Sequence, residues 1–131
     1  MTRTNFLTLE QVIFIHEEQI EQYGGSHGIG RLSLLESAVI RVQMTFGGKE
    51  LYHNLFDKAA SLLHGLVFNH AFVDGNKRTA IASTMVFLEL NGYSFILPQK
   101  KLVQTIVEIE NKKWDKDKIK AWLKKHSKRI Q

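Results

Sequence analysis

The sequence predicts an all-α fold of about six helices around one central helix, with a small β-hairpin. It contains one proline, Pro98, and apolar residues recur at three- and four-residue spacing along most of the chain, which is typical of amphipathic helices. The segment 77–90 is apolar on nearly every side, so it should run through the interior of a domain. The length of 131 residues predicts a single domain over 1–131.

The first two helices are predicted from their capping residues and from the pattern that follows. Thr8 and Gln11 fit a capping box, and the glycine pair 24–25 ends the first apolar pattern. Ser33 is the expected cap of the second helix. Residues 43–53 break the helical pattern, and their alternation around a glycine pair predicts a short hairpin or flap.

The remaining helices are predicted over 55–69, 77–90, 101–109 and 116–126. The central one ends at the Asn-Gly pair 91–92, where a left-handed residue commonly stops a helix. In the last helix, the apolar face that should turn inward consists of Ile119, Trp122 and Leu123.

Composition limits the classes of protein that fit. The chain has no cysteine, which excludes disulfides and thiolate metal sites. It shows neither a signal-peptide core nor a membrane-length apolar run, so a cytoplasmic location is expected. Residues 112–131 carry nine Lys/Arg against two Asp, while residues 1–111 carry nine against eleven acidic side chains. This basic C-terminal helix is predicted to be a solvated face; binding to an acidic partner or nucleic acid is the alternative.

The segment 70–80 concentrates the reactive side chains. His70 can titrate near neutral pH, and four residues later Asp74 offers a carboxylate that suits Mg²⁺. A base and a possible metal ligand, followed by a glycine, an amide and two cations at 75–78, predict a phosphate-handling site. Asp-Gly and Gly-Asn pairs also mark tight turns, however, so a plain connection between two helices is the structural alternative.

The start of the central helix favours the phosphate site. Gly75 has no Cβ to obstruct an anion, and a helix that begins near Asn76 presents free backbone N–H groups there. Lys77 and Arg78 lie in the first turn. Cations at that end oppose the helix dipole, so they destabilise the helix unless an anion is bound.

Residues 70–78 resemble the Fic motif, His-x-Phe-x-(Asp/Glu)-Gly-Asn-x-Arg, and within the Fic/Doc superfamily they resemble the Doc branch of toxins from toxin–antitoxin modules. The resemblance covers residues 6–97, most of the chain. Its further blocks are 23–25, 28–31, 35–38, 45–48, 51–52 and 87–93.

The resemblance implies a role for each motif residue. His70 would be the catalytic base that takes a proton from a target hydroxyl, and Asp74 would bind Mg²⁺. The nucleotide phosphates would be held by Gly75, Asn76, Lys77 and Arg78. The flap that docks the target chain by strand addition would contain Thr45, Phe46, Gly47 and Gly48.

Two positions indicate which reaction of the superfamily is expected, phosphate transfer or AMP transfer. The AMP-transferring majority of the superfamily has Gly in place of Lys77 and a second Arg in place of Ile81, and both departures are shared with Doc. The resemblance therefore implies a protein kinase that transfers phosphate from ATP, with Mg²⁺, to elongation factor Tu. AMP transfer by the same base is the first alternative, and a non-catalytic module that binds nucleic acid or protein is the second.

The resemblance also bears on regulation. Some Fic enzymes carry an internal inhibitory pattern, (Ser/Thr)-x-x-x-Glu-(Gly/Asn), which Thr105 and the pair 110–111 do not match in spacing. Restraint is therefore expected from a separate, Phd-like antitoxin that lies across the groove near His70. The other histidines show no metal-ligand spacing and are predicted to be surface or satisfied core residues; they are His16, His27, His53, His64 and His126.

Overall fold

The computed structural model describes residues 4–46, 49–50 and 54–130, and it has the predicted all-α architecture. The helices of these residues are α1 (Leu9–Tyr23), α2 (Leu32–Arg41), α3 (Leu55–Phe68), α4 (Asn76–Leu90), α5 (Gln99–Asn111) and α6 (Lys116–Lys125). Two antiparallel pairs accompany them, β1 (Thr45–Phe46) with β2 (Lys49–Glu50) and β3 (Tyr93–Phe95) with β4 (Ser127–Arg129).

Helix α4 is central, as its apolar sequence predicts. It packs against α1, α3, α5 and β3, and Ala80, Phe87 and Leu88 are almost completely buried. Small polar residues such as Thr79 and Ser83 are also fully buried. The N-terminus of this helix is thus anchored from several sides.

Helix boundaries follow local capping at α1 but not at α2. Thr8 and Gln11 form the predicted capping box, and the N–H of Gly24 closes the last turn on Ile20. The expectation that Ser33 caps α2 is wrong, because the helix begins at Leu32 and has no side-chain cap.

The basic C-terminal segment is part of the fold. Ile119 and Leu123 of α6 are fully buried, whereas Trp122 is partly buried with its ring centroid 5.0 Å from that of Phe95. Strand β4 then pairs with β3, a pairing that the sequence did not predict. Directly after β4, the N–H of Ile130 donates to the carbonyl of Gly92, the residue that precedes β3.

The predicted hairpin is confirmed in the described part of residues 43–53. Thr45 lies opposite Glu50, and Phe46 lies opposite Lys49. Gly47 and Gly48, which belong to the expected flap, lie outside the described residues. Among the described residues, no helix is both long and apolar enough to span a membrane.

Candidate active site at the N-terminus of helix α4

The turn before α4 is built by its own motif residues. Gly75 adopts a left-handed conformation, with φ 76°, which glycine tolerates without steric cost. The Asn76 side chain closes the turn, because its Oδ1 accepts from the Phe72 N–H at 2.9 Å and its Nδ2 donates to the Phe72 carbonyl at 3.0 Å. Asn76 therefore shapes the turn through its side chain, and only its backbone N–H remains available to an anion.

A buried histidine from α1 supports this turn from beneath. His16 is 1% exposed, and its ring stacks on Phe72 with centroids 3.8 Å apart. Its Nε2 lies 2.7 Å from the Asp74 carbonyl oxygen, and since a carbonyl only accepts, Nε2 carries the hydrogen. The sequence identified His16 only as a surface or core residue; its contacts span 58 residues of chain and leave no local signal.

The Asp74 carboxylate is exposed and oriented by backbone donors. It accepts from the N–H of Ser26 at 3.1 Å and from the N–H of Gly75 at 2.8 Å. These two hydrogen bonds, the first being the stronger influence, lower the pKa of Asp74 below its ordinary value, and the nearby Arg78 lowers it further. The carboxylate is therefore ionised at neutral pH.

Close packing of a glycine loop makes this arrangement possible. A Cβ on Gly25, whose φ is +114°, would lie 2.6 Å from Asp74 Oδ2. The loop is held by the neighbouring strand-like contact, in which the N–H groups of Gly30 and Arg31 donate to the Ala71 carbonyl and Ile29 forms a bridge with Phe72. Glycine is thus needed in this loop for two reasons: the backbone turns with a positive φ, and it approaches the Asp74 carboxylate too closely for a Cβ.

Arg78 links the helix to the same loop. Its Nη2 donates to the Gly24 carbonyl at 2.9 Å, and its guanidinium carbon lies 5.9 Å from the centroid of the Tyr23 ring. The side chain consequently stays on the Asp74 side of the helix terminus, where it can reach an anion without losing contact with α1.

His70 and Lys77 meet on the other side, through a residue that the sequence did not assign to the site. His70 has a left-handed backbone, with φ 48°, a conformation that costs energy and is often found at functional sites. Its Nε2 lies 3.1 Å from Glu110 Oε2, while Lys77 Nζ lies 2.9 Å from Glu110 Oε1. Glu110 is 33 residues from Lys77 in the chain, so spacing alone could not reveal the contact.

The site offers a single carboxylate that suits a divalent cation such as Mg²⁺. Within the described residues, no group of three or more His, Cys, Asp or Glu could hold a metal ion by itself. Asp74 nevertheless offers an ionised, exposed carboxylate, and Mg²⁺ commonly binds through one or two carboxylates plus substrate phosphates and water. Asp74 would hold such an ion beside the phosphates, where the metal would neutralise charge.

Together these features define an all-α protein whose central helix opens on a His-x-Phe-x-Asp-Gly-Asn-x-Arg loop. A family model described as the Fic/DOC family matches residues 6–88. The chain belongs to the Fic/DOC family.

Two curated relatives are similar to most of the chain. "Toxin Doc" of Mycolicibacterium smegmatis (strain ATCC 700084 / mc(2)155) is 44% identical over 92 residues, which cover 70% of this chain and 64% of the relative. "Protein kinase doc" of Escherichia phage P1 is 36% identical over 83 residues, which cover 63% of this chain and 65% of the relative. The matched part thus spans somewhat less than two thirds of each relative's length.

Proposed function

We propose that this chain is the toxin of a toxin–antitoxin module and acts as a protein kinase. In this proposal it transfers phosphate from ATP, with Mg²⁺, to a hydroxyl of elongation factor Tu and so blocks translation in the cytoplasm. Family membership and the names of the two relatives, a Doc toxin and a Doc protein kinase, support the proposal.

One observation carries the catalytic part of the proposal. The imidazole of His70 and the ammonium of Lys77 are close enough to bind the two oxygens of a single carboxylate. A target hydroxyl beside His70 would therefore adjoin a phosphate bound by Lys77 at the N-terminus of α4. That proximity is what in-line transfer between a hydroxyl and a phosphate requires.

The residues divide the work of the reaction. The hydroxyl oxygen attacks the γ-phosphorus, the bond from that phosphorus to the β–γ bridging oxygen breaks, and ADP leaves. His70 accepts the hydroxyl proton. Lys77, Arg78 and the first N–H groups of α4 stabilise negative charge on the phosphates, and such positioning and neutralisation supply most of the catalysis of phosphoryl transfer.

Two residues favour phosphate transfer over AMP transfer. Lys77 brings a long cation into the anion site, and its ammonium is already directed toward the His70 side through Glu110. Ile81 is 7% exposed and offers no charge where the AMP-transferring relatives have a second arginine. Phosphates should therefore lie nearer Lys77, with the γ-phosphate next to the base.

An apolar groove that leads to the site supports the antitoxin as a partner. A cavity of about 510 Å³ between α1 and α4 adjoins one of about 280 Å³ between α1, α4 and α5, since Gln19 and Ala82 line both. The second cavity ends at Tyr23 and Arg78. An amphipathic antitoxin segment in this groove would cover Arg78 and exclude nucleotide.

The β1–β2 hairpin is the proposed docking flap for the protein substrate. Its residues Thr45 and Phe46, with Gly47 and Gly48, would add a strand of the target to the hairpin edge. Strand addition positions a peptide through main-chain hydrogen bonds, so it would hold a target segment beside the site with limited dependence on its sequence.

Labelled ATP tests the reaction directly. The purified chain is incubated with bacterial lysate, or with purified elongation factor Tu, in the presence of γ-labelled or α-labelled ATP and Mg²⁺. Label from the γ position on the target supports the kinase, whereas label from the α position would establish AMP transfer instead. No transfer from either position, with growth still arrested, would favour the non-catalytic alternative.

A folded His70→Ala variant is the matched control. Its transfer rate should fall by about 10²- to 10⁴-fold, the usual contribution of a general base, while its thermal unfolding remains cooperative. Growth arrest by this variant at the wild-type level would contradict the role of His70.

A further inference from the structure

Glu110 occupies the space between two residues of the proposed machinery. It lies in the last turn of α5, and its two oxygens contact different partners, His70 Nε2 at 3.1 Å and Lys77 Nζ at 2.9 Å. The Glu110 side chain is 24% exposed, compared with 56% for His70. Glu110 is therefore the less exposed of the two side chains, and it can hold the more exposed imidazole of His70 in place.

The chemistry of the contact determines where the imidazole proton lies. An ionised carboxylate only accepts hydrogen bonds, and an ammonium only donates them. A ring nitrogen that carried a lone pair would repel a carboxylate oxygen 3.1 Å away, so His70 Nε2 carries the hydrogen and the lone pair of the neutral ring is on Nδ1. The Lys77 ammonium from α4 is the other charged group at this carboxylate, and it directs the second oxygen away from the ring.

We propose that Glu110 is a positioning residue, which holds His70 in one orientation and in the tautomer that leaves Nδ1 free to accept a proton. The catalytic meaning of this role rests on the proposed function. When Nδ1 takes the proton from a hydroxyl, the adjacent carboxylate also stabilises the imidazolium that forms, as the aspartate does in a Ser-His-Asp triad. By binding Lys77 at the same time, Glu110 fixes the distance between the base and the phosphate-binding cation.

Replacing the carboxylate with an amide gives a sharp test, because it should place a donor instead of an acceptor against His70 Nε2. In Glu110→Gln the amide oxygen is the only acceptor for Lys77, which leaves the NH₂ group to face His70. That group donates, so Nε2 must become the acceptor and the proton must move to Nδ1. Nitrogen-15 NMR of histidine-labelled protein distinguishes the two tautomers by the chemical shifts of the ring nitrogens.

A second substitution on the same helix controls for charge and helix stability. Glu108→Gln removes the same charge from α5, but its carboxylate pairs with Lys112. The His70 tautomer should remain unchanged in this variant. If the Glu110→Gln ring keeps its hydrogen on Nε2, or if Glu108→Gln changes it equally, the inference is wrong.

Kinetic constants distinguish a positioning role of Glu110 from competition between its carboxylate and the nucleotide phosphates. For transfer from γ-labelled ATP, Glu110→Gln should lower kcat by about 10²- to 10⁴-fold, the usual contribution of a general base, with little change in KM for ATP. Glu110→Asp, which retains the charge, should recover part of kcat. A fall in KM with an equal or higher kcat would instead identify Glu110 as an anion that competes with phosphate, and would overturn the proposal.

The NMR measurement and the kinetic measurement test the contact and the reaction independently of each other. The NMR measurement needs no activity, so it decides the role of Glu110 at His70 even when the wild-type chain transfers no phosphate. In that case the proposed function fails, whereas a reversed tautomer would still establish the positioning contact.

Discussion

At the scale of single residues, His16 combines two contacts that can be separated by mutation. His16→Phe retains an aromatic ring beside Phe72 but removes the hydrogen bond to the Asp74 carbonyl. Loss of a part-buried hydrogen bond costs about 0.5–1.5 kcal/mol, so the free energy of unfolding should fall by that amount. His16→Ala should lose more, about 2–5 kcal/mol, because it also leaves a cavity. Urea denaturation would give the order, and a His16→Phe variant as stable as wild type would contradict it.

Adjacent glycines provide a matched pair for the close approach of the loop to Asp74. Both have positive φ, +85° at Gly24 and +114° at Gly25, but a Cβ meets nothing within 4 Å at Gly24 and meets Asp74 at Gly25. Alanine should therefore strain the backbone at both positions, by about 1–3 kcal/mol each. Only Gly25→Ala should also displace the Asp74 carboxylate, so that, under the proposed function, the Mg²⁺ concentration needed for half-maximal transfer rises in that variant alone. An equal rise in Gly24→Ala would show that general strain is responsible.

The lowered pKa of Asp74 predicts a pH dependence of stability. Its ordinary value is 3.8, and folding lowers it through the N–H groups of Ser26 and Gly75. The unfolded chain therefore takes up the proton first as the pH falls. The contribution of Asp74 is fully present well above pH 3.8 and is lost as the pH falls through the lower pKa of the folded state.

Comparison with Asp74→Asn isolates this contribution from other acidic groups. The difference in free energy of unfolding between the two proteins should be constant near neutral pH and should shrink below pH 3.8. Denaturant titrations across that range measure it. A difference that does not vary with pH would show that ionised Asp74 adds nothing to stability.

At the scale of elements, α6 has a structural role despite its basic surface. Leu123 is fully buried where α6 packs on α3, so Leu123→Ala should lower the free energy of unfolding by about 2–5 kcal/mol. The neighbouring Lys124 is exposed, and Lys124→Ala should change it by no more than about 0.5 kcal/mol. Thermal or urea unfolding of both variants would test this, and similar values for the two would contradict the packing of α6.

Local signals account for most elements, and long-range contacts account for the errors. The start of α1 is readable from Thr8 and Gln11 because both bonds of the capping box lie within one turn. The start of α2 is not readable from Ser33, because no side chain caps this helix and the preceding N–H groups bond to the distant Ala71 carbonyl. Strand β4 is not readable from local sequence, because α5 and α6 separate it in the chain from its partner β3.

The same distinction applies to the site. The motif made His70, Asp74 and Lys77 visible as a group, since they lie within eight consecutive positions. Glu110 and His16 come from other helices, and only the packing of α5 and α1 beside α4 brings them to the motif. Residues that hold a site together are therefore harder to find from sequence than residues that do its chemistry.

At the scale of the whole molecule, a substitution in the groove beside α4 should affect binding of the proposed antitoxin without affecting catalysis. Phe14 lines the larger cavity and is 61% exposed. Under the proposed function, Phe14→Asp should weaken antitoxin binding by about 1–4 kcal/mol, as for a central apolar contact, without changing phosphate transfer by the chain alone. Calorimetric titration with the proposed antitoxin measures the loss.

An exposed apolar residue elsewhere controls for charge. Leu32, which is 50% exposed at the start of α2, is not among the residues lining either cavity of the groove, so Leu32→Asp should leave antitoxin affinity unchanged. Equal weakening in both variants would argue against the groove as the antitoxin site.

Both ends of the described chain meet at the far end of α4. The Asn5 N–H donates to Asn91 Oδ1 at 2.7 Å, and the Ile130 N–H donates to the Gly92 carbonyl at 2.8 Å. A helix of 15 residues is about 22 Å long, which is the approximate separation of this turn from the motif loop. A fluorophore, an affinity handle or a surface linker attached beside Asn5 or Ile130 would therefore leave the motif loop at the opposite end of α4 accessible, so that immobilised or labelled protein can be used to test the proposed function.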